Sequence, residues 1–235
     1  MNSQCLYCDH FIQAEMTWTK LFFSSREKRL CGNCSGKLEH IHGDVCTACS
    51  RPLALLDPKY IHGTVCHDCF RWEEDPEWCG VLGSNVSVYQ YNDFLKELLA
   101  RFKYRGDYAL AKVFAEDVRT ALSKLVFDLL VPIPLSPERL LERGFNQAKA
   151  LAEEAGFQSA EVLQRIHGEK QSKKSRNERI HLPQVFAVKR GADVSGKKIV
   201  LMDDIYTTGS TLRHAGRVLK KAGAKSVKAF TLARG

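Results

Sequence analysis

The stretch Val200-Leu-Met-Asp-Asp-Ile-Tyr-Thr-Thr-Gly-Ser-Thr211 decides how the rest of the chain is read. Its first residues are apolar and form the end of a buried strand over 198–202. That strand delivers Asp203 and Asp204 to its C-terminal end. Thr207, Thr208, Gly209, Ser210 and Thr211 then lead into a helix over 210–222, closed by Gly223. Free N–H groups in such a loop and first helical turn, with the helix dipole behind them, attract an anion. Gly209 lets the backbone approach it closely, and the four hydroxyls add donors. Together they describe a dianionic phosphate site that needs no lysine. The paired acids would repel phosphate, so they must face ribose hydroxyls or a magnesium ion.

Outward from this loop, strand-like and helix-like patterns alternate. Residues 86–91 alternate as an edge strand does. Phe94, Leu95, Leu98, Leu99 and Phe102 recur at helical spacing, and Gly106 ends that helix. Asp107 is expected to cap a second helix carrying Leu110, Val113, Phe114, Val118 and Leu122. Residues 127–133 read as a short buried strand, 146–155 as a helix stopped by Gly156, and 226–232 as a last strand. Strands separated by helices predict an α/β fold: a mostly parallel, twisted sheet with helices on both faces. Ligands of such sheets sit beyond the C-terminal strand ends. The segment 167–181 breaks the pattern. It is polar and basic, with Lys170, Lys173, Lys174, Arg176 and Arg179, and reads as a mobile loop.

Before residue 80 the composition differs. Eight of the nine cysteines form four C-x-x-C pairs there. Cys5 and Cys8 are separated by 22 residues from Cys31 and Cys34; Cys46 and Cys49 by 16 from Cys66 and Cys69. Each pair presents two thiolates to one metal, and two pairs complete a tetrahedron around zinc. Four sulfurs leave no open position, so such sites are structural. Two zinc ribbons in tandem are the simplest arrangement; an interleaved one, with the first and third pairs sharing a zinc, stays open. Cys79 has no partner and reads as a small buried apolar residue. The expected organisation is a double zinc ribbon over 1–80 and an α/β domain over 81–235.

Charge follows the same division. Residues 1–80 hold 8 Lys/Arg against 11 Asp/Glu, and residues 81–235 hold 27 against 16, so the net +8 belongs to the second part. A basic domain attracts polyanions such as nucleic acid, phosphorylated substrates or anionic lipid. No run of about 18 apolar residues occurs, so membrane insertion is not expected. The N-terminus lacks the apolar core of a signal peptide, which predicts a cytoplasmic protein.

The 200–211 segment resembles the signature of type I phosphoribosyltransferases. Val131-Pro-Ile-Pro-Leu-Ser136, Arg143-Gly-Phe-Asn-Gln147, Arg101-Phe-Lys-Tyr-Arg-Gly106 and the double ribbon make the whole chain similar to the ComF family. That resemblance implies binding of 5-phosphoribosyl-1-pyrophosphate (PRPP) with magnesium at Asp203, Asp204, Thr207, Thr208, Gly209, Ser210 and Thr211. It implies that the Pro-Ile-Pro-Leu-Ser turn, residues 132–136, meets pyrophosphate, with Arg143 and Lys103 as further diphosphate contacts. The basic loop 167–181 occupies the place of the flexible catalytic loop. The family role implied is natural transformation: handling imported single-stranded DNA with a helicase-like partner, which can recruit the protein to the inner face of the membrane. No segment reads as a hood for a nucleobase. Two other functions compete: an active transferase of nucleotide salvage, and an adaptor docking through its ribbons under the control of PRPP.

Overall fold

The computed structural model describes residues 3–12, 28–166 and 185–235. The basic loop 167–181, and with it Lys170, Lys173, Lys174, Arg176 and Arg179, lies outside the described residues.

The N-terminal part is built from short pieces. β1 (Ser3–Gln4) pairs with β2 (Phe11–Ile12), and α1 (Gly32–Ser35) follows. β3 (Ile61–His62) pairs with β4 (Val65–Cys66), which runs directly into α2 (His67–Glu74). The remaining chain forms β5 (Asn85–Gln90), α3 (Asp93–Tyr104), α4 (Ala111–Leu122), β6 (Leu129–Pro132), α5 (Pro137–Arg143) and α6 (Gln147–Glu154). A two-stranded hairpin, β7 (Leu163–Arg165) with β8 (Phe186–Val188), comes next, then β9 (Lys198–Tyr206), α7 (Ser210–Lys221) and β10 (Ser226–Arg234).

Four strands make the central sheet, in the order β5-β10-β9-β6, and every neighbouring pair is parallel. Alternate residues of β9 face opposite sides. Val200 and Met202 pack with Leu98, Phe102, Phe114 and Leu151 of α3, α4 and α6. Ile199 and Leu201 pack with Leu212, Ala215 and Leu219 of α7. The expected sheet with helices on both faces is therefore present.

The cysteine-rich segment supplies part of the second face. Cys46, Cys49, Cys66 and Cys69 belong to the same buried cluster as Leu201 and Leu212. The segment also covers the outer edge of β5. The N–H of Asn85 donates to Ala48 O, that of Ile41 to Val88 O and that of Gln90 to Glu39 O. An edge strand left bare would be a template for pairing with another chain.

Several sequence expectations need correction. Asp107 does not cap α4; it precedes a 3-10 turn, Tyr108–Leu110, and its side chain makes no capping bond. The turn intervenes because Leu110 must first reach the core, where it is fully buried. β9 runs on to Tyr206, past the acids, because β10 pairs with it as far as Arg234. Cys79 is exposed, not buried. Its neighbour Trp78 takes the interior position at 0% exposure, which turns Cys79 outward. α5 was not anticipated: Ser136 caps it through Arg139 N, but none of its residues is buried, so no apolar stripe announces it. Among the described residues no helix is long and apolar enough to cross a membrane.

Candidate functional site

The chain leaving β6 crosses to the α6 face of the sheet, and the chain leaving β9 crosses to the α7 face. Between those two C-terminal ends the connections diverge and open a crevice, the place where parallel sheets bind ligands. A cavity of about 270 Å³ lies there. Its walls include Lys103, Ile133 to Leu135, Arg139, Arg143, Arg165, Asp203, Asp204 and Thr211.

The charged wall residues are placed by four elements: α3, α5, β7 and β9. Lys103, from the last turn of α3, forms an ion pair with Asp204. Lys103, expected from sequence as a diphosphate contact, thus lines the crevice beside the acids. Asp203 is half-buried, and desolvation, then the neighbouring Asp204, push its carboxyl up to about 7. Its Oδ1 accepts the N–H of Asp204 at 2.9 Å. Arg143 ends α5, where Gly144 takes the left-handed conformation (φ 77°). Its Nη1 donates to Gln147 Oε1 at 2.9 Å and its guanidinium lies over the Tyr104 ring, 5.5 Å from the centroid. Its Nε is buried without a hydrogen-bond partner among the described residues. An orphaned arginine donor on a polar cavity fits an anion.

Arg139 and Arg165 were not found from sequence. Arg139 projects from the unanticipated α5, and Arg165 from the short β7, so neither carried a periodic signal. Burial first, and then the like charge of Arg139, lower the basicity of Arg165. Arg165 also lines a smaller cavity of about 70 Å³, formed by Thr207, Thr208, Ser210, Thr211, Phe186 and His214. Thr211 and Arg165 thus stand between two polar hollows, one over the acids and one over the hydroxyl loop.

Gly209 has φ 76°, as the turn into α7 requires. A Cβ at this position would run into the Tyr206 hydroxyl and the Arg213 guanidinium. The packing beneath the loop therefore demands glycine here. Thr208 is held from below as well: Trp72 Nε1 of α2 donates to its carbonyl at 2.9 Å.

A third cavity, of about 510 Å³, shares Pro134, Leu135, Asn146 and Arg165 with the first. Phe145, Leu140 and Leu163 line it, with Lys149, Glu153, Glu161 and Lys189 at its polar side.

The cysteines form two groups, Cys5 with Cys8, Cys31 and Cys34, and Cys46 with Cys49, Cys66 and Cys69. The tandem arrangement holds, and the interleaved one does not. All four sulfurs of each group lie within 4.8 Å of one another. Cys8 and Cys31 sulfurs are 3.6 Å apart, and those of Cys49 and Cys66 are 3.8 Å apart. A tetrahedron with Zn–S of about 2.3 Å has edges of about 3.8 Å, so the residues fit zinc. Two donors point at sulfur: Cys66 N–H at Cys46 Sγ (3.2 Å) and Arg234 Nε at Cys49 Sγ (3.4 Å). Thiol hydrogen bonds, from Cys49 to Cys46 and from Cys46 to Cys66, lower Cys46 and Cys66 to about 6. The crowding of the other three sulfurs pushes Cys69 up. A divalent cation suits such a cluster better than shared protons.

Comparison with known proteins agrees with this architecture. The profile of a family described as Phosphoribosyl transferase domain matches residues 140–235. Competence protein ComFC of Bacillus subtilis is 43% identical over 98% of this chain and 94% of its own length. Competence protein ComFC of Streptococcus pneumoniae is 36% identical over 98% of this chain and all of its own. Competence protein F of Haemophilus influenzae is 23% identical, over 91% of this chain and 98% of its own.

Proposed function

This chain belongs to the ComF family of competence proteins, and on that premise we propose that it binds PRPP with magnesium and handles single-stranded DNA in natural transformation. One observation carries the PRPP reading. Three arginines, two acids and a hydroxyl loop, drawn from four elements, converge on the crevice and the smaller hollow beside it, and a buried arginine donor there has no partner among the described residues. The loop over 207–211 takes the 5-phosphate. Arg139, Arg143 and Arg165 take the diphosphate, and Asp203 and Asp204 the ribose hydroxyls or the metal. Magnesium, when bound, neutralises the diphosphate. Lys103 serves by holding Asp204 in place. The test is calorimetric titration of PRPP in millimolar magnesium: saturable binding to the parent protein is expected, and none would refute the assignment.

The DNA reading rests on the charge of residues 81–235. If Z phosphates are neutralised, the logarithm of affinity falls against that of salt with slope about −0.7Z. Serine at Lys170, Lys173, Lys174, Arg176 and Arg179 together separates two roles for the loop. In a DNA role the salt slope becomes shallower by about 0.7 per lost contact, and PRPP affinity is kept. In a lid role PRPP affinity falls and the slope is unchanged. DNA binding that is insensitive to salt would overturn the electrostatic basis. We propose, further, that residues 81–235 carry this activity as a domain, that 1–80 form the zinc-bearing module with two structural zincs, and that the protein works in the cytoplasm with a helicase-like partner.

A second reading, an active transferase, is favoured by the 510 Å³ cavity beside the crevice, which offers an acceptor the room that no sequence segment announced. Release of pyrophosphate from PRPP with candidate acceptors tests it; no release with any of them removes it.

A further inference from the structure

Two arginines deep in the protein have no carboxylate. Arg213 is 1% exposed and Arg234 4%. Among the described residues neither forms an ion pair with an acid. Buried charges are expected to be paired. What stands next to Arg234 is sulfur: its Nε donates to Cys49 Sγ at 3.4 Å. Four thiolates around one divalent cation keep two formal negative charges, so a metallated second cluster supplies the missing countercharge.

The other side of Arg234 faces the phosphate loop. Its Nη1 donates to Tyr206 O at 3.2 Å, and its guanidinium lies 4.9 Å from the centroid of the Tyr206 ring. The hydroxyl of the same tyrosine accepts a bond from Arg213 Nη1 at 2.7 Å. Arg213 in turn lies 4.7 Å from the centroid of the Trp72 ring. Trp72 stands three residues after Cys69 on α2, so both point to one face of that helix, and both are buried. Trp72 Nε1 then donates to Thr208 O. The backbone over 206–208 is thus gripped twice from the second cluster, through Cys49 and Arg234 and through Cys69 and Trp72. The first cluster has no such bond to the loop among the described residues; Tyr7 beside it packs on Phe94 and accepts Arg101 Nη1, both on α3.

We infer that the second cysteine cluster positions the phosphate-binding loop, and that Trp72 and Arg234 are the positioning residues that carry its geometry to Tyr206 and Thr208. The ligand in this inference rests on the PRPP reading; the grip on the loop does not. Filling the second cluster orders the loop before any ligand arrives, which lowers the entropy cost of binding.

Trp72→Phe is the discriminating variant, because it keeps an aromatic ring beneath Arg213 while the N–H to Thr208 is lost with the pyrrole half of the indole. Arg234→Lys keeps the charge and loses the two-sided reach. Both are expected to retain the parental zinc content by elemental analysis. In each, the PRPP dissociation constant should rise about three- to tenfold, the effect of one lost buried hydrogen bond. Amides over 207–211 should exchange hydrogen for deuterium faster than in the parent. Parental PRPP affinity together with parental exchange in both variants would overturn the inference. If the parent itself does not bind PRPP, the ligand assignment fails, and the exchange rates decide the coupling alone: faster supports it, unchanged refutes it.

Discussion

Asparagine at both Asp203 and Asp204 is expected to abolish measurable PRPP binding while leaving the protein folded. Each carboxylate that meets a hydroxyl or a metal contributes about 1.5–3 kcal/mol as a charged hydrogen bond. Losing both should weaken binding by a factor of about 10²–10⁴. The fold should tolerate the change. Burial already holds the Asp203 carboxyl up at about 7, so its ionised form is costly where it stands, and a neutral amide of the same shape removes that cost. Against this, Lys103 loses its partner at Asp204. The thermal midpoint should therefore stay near the parental one, and calorimetry should show no saturation. A double variant that binds PRPP like the parent would mean the pocket lies elsewhere.

Serine at Cys66 is expected to remove one of two zincs and to damage the whole protein. Structural zinc contributes about 10–16 kcal/mol of apparent binding free energy in small zinc peptides. That is as large as the about 5–15 kcal/mol that holds a whole domain folded. Cys66 is fully buried among residues that also pack on the central sheet, so its loss should lower the melting temperature of the whole chain. Serine at Cys5 should also remove one zinc, with a milder effect. Its cluster joins Ile12 and Leu30 and touches the outer side of α3 and α4 through Phe94 and Val113. Serine at Cys79, which is exposed, should change neither zinc nor stability. Elemental analysis finding one zinc or none in the parent, purified without chelator, would defeat this account.

Wherever a local pattern sufficed, the sequence was readable. The buried strand of β9, the turn at Gly209 and the first turn of α7 are contiguous, so their residue types announce a strand–turn–helix without any tertiary knowledge. The C-x-x-C turns likewise carry their chemistry in four residues each. Where the pattern was weak the reading failed. Leu140 and Leu141 of α5 are exposed, so the helix shows no buried stripe, and Arg139 went unnoticed with it. β7 is three residues long, too short to show an alternation, and Arg165 was lost with it.

The glycine at 209 was legible from sequence, and packing adds a reason that sequence could not show. Sequence can say that a backbone must turn or be approached closely; only packing shows that the Tyr206 hydroxyl and Arg213 occupy the space a side chain would need. Lys103 is a parallel case. Its basic character suggested a phosphate, and only the crossing of α3 over the end of β9 joins it to Asp204.

What the sequence determined by itself, then, was what lies in neighbouring residues: the strands and helices with a clear period, the glycine turn between β9 and α7, and the four C-x-x-C pairs. The tertiary structure alone decided which distant groups meet. Trp72 and Thr208 are 136 residues apart, and Cys49 and Arg234 are 185 apart. Such pairings leave no periodicity or spacing to read. They arise because a parallel sheet brings its C-terminal strand ends to one edge, and because the second cysteine cluster packs on the face beside that edge.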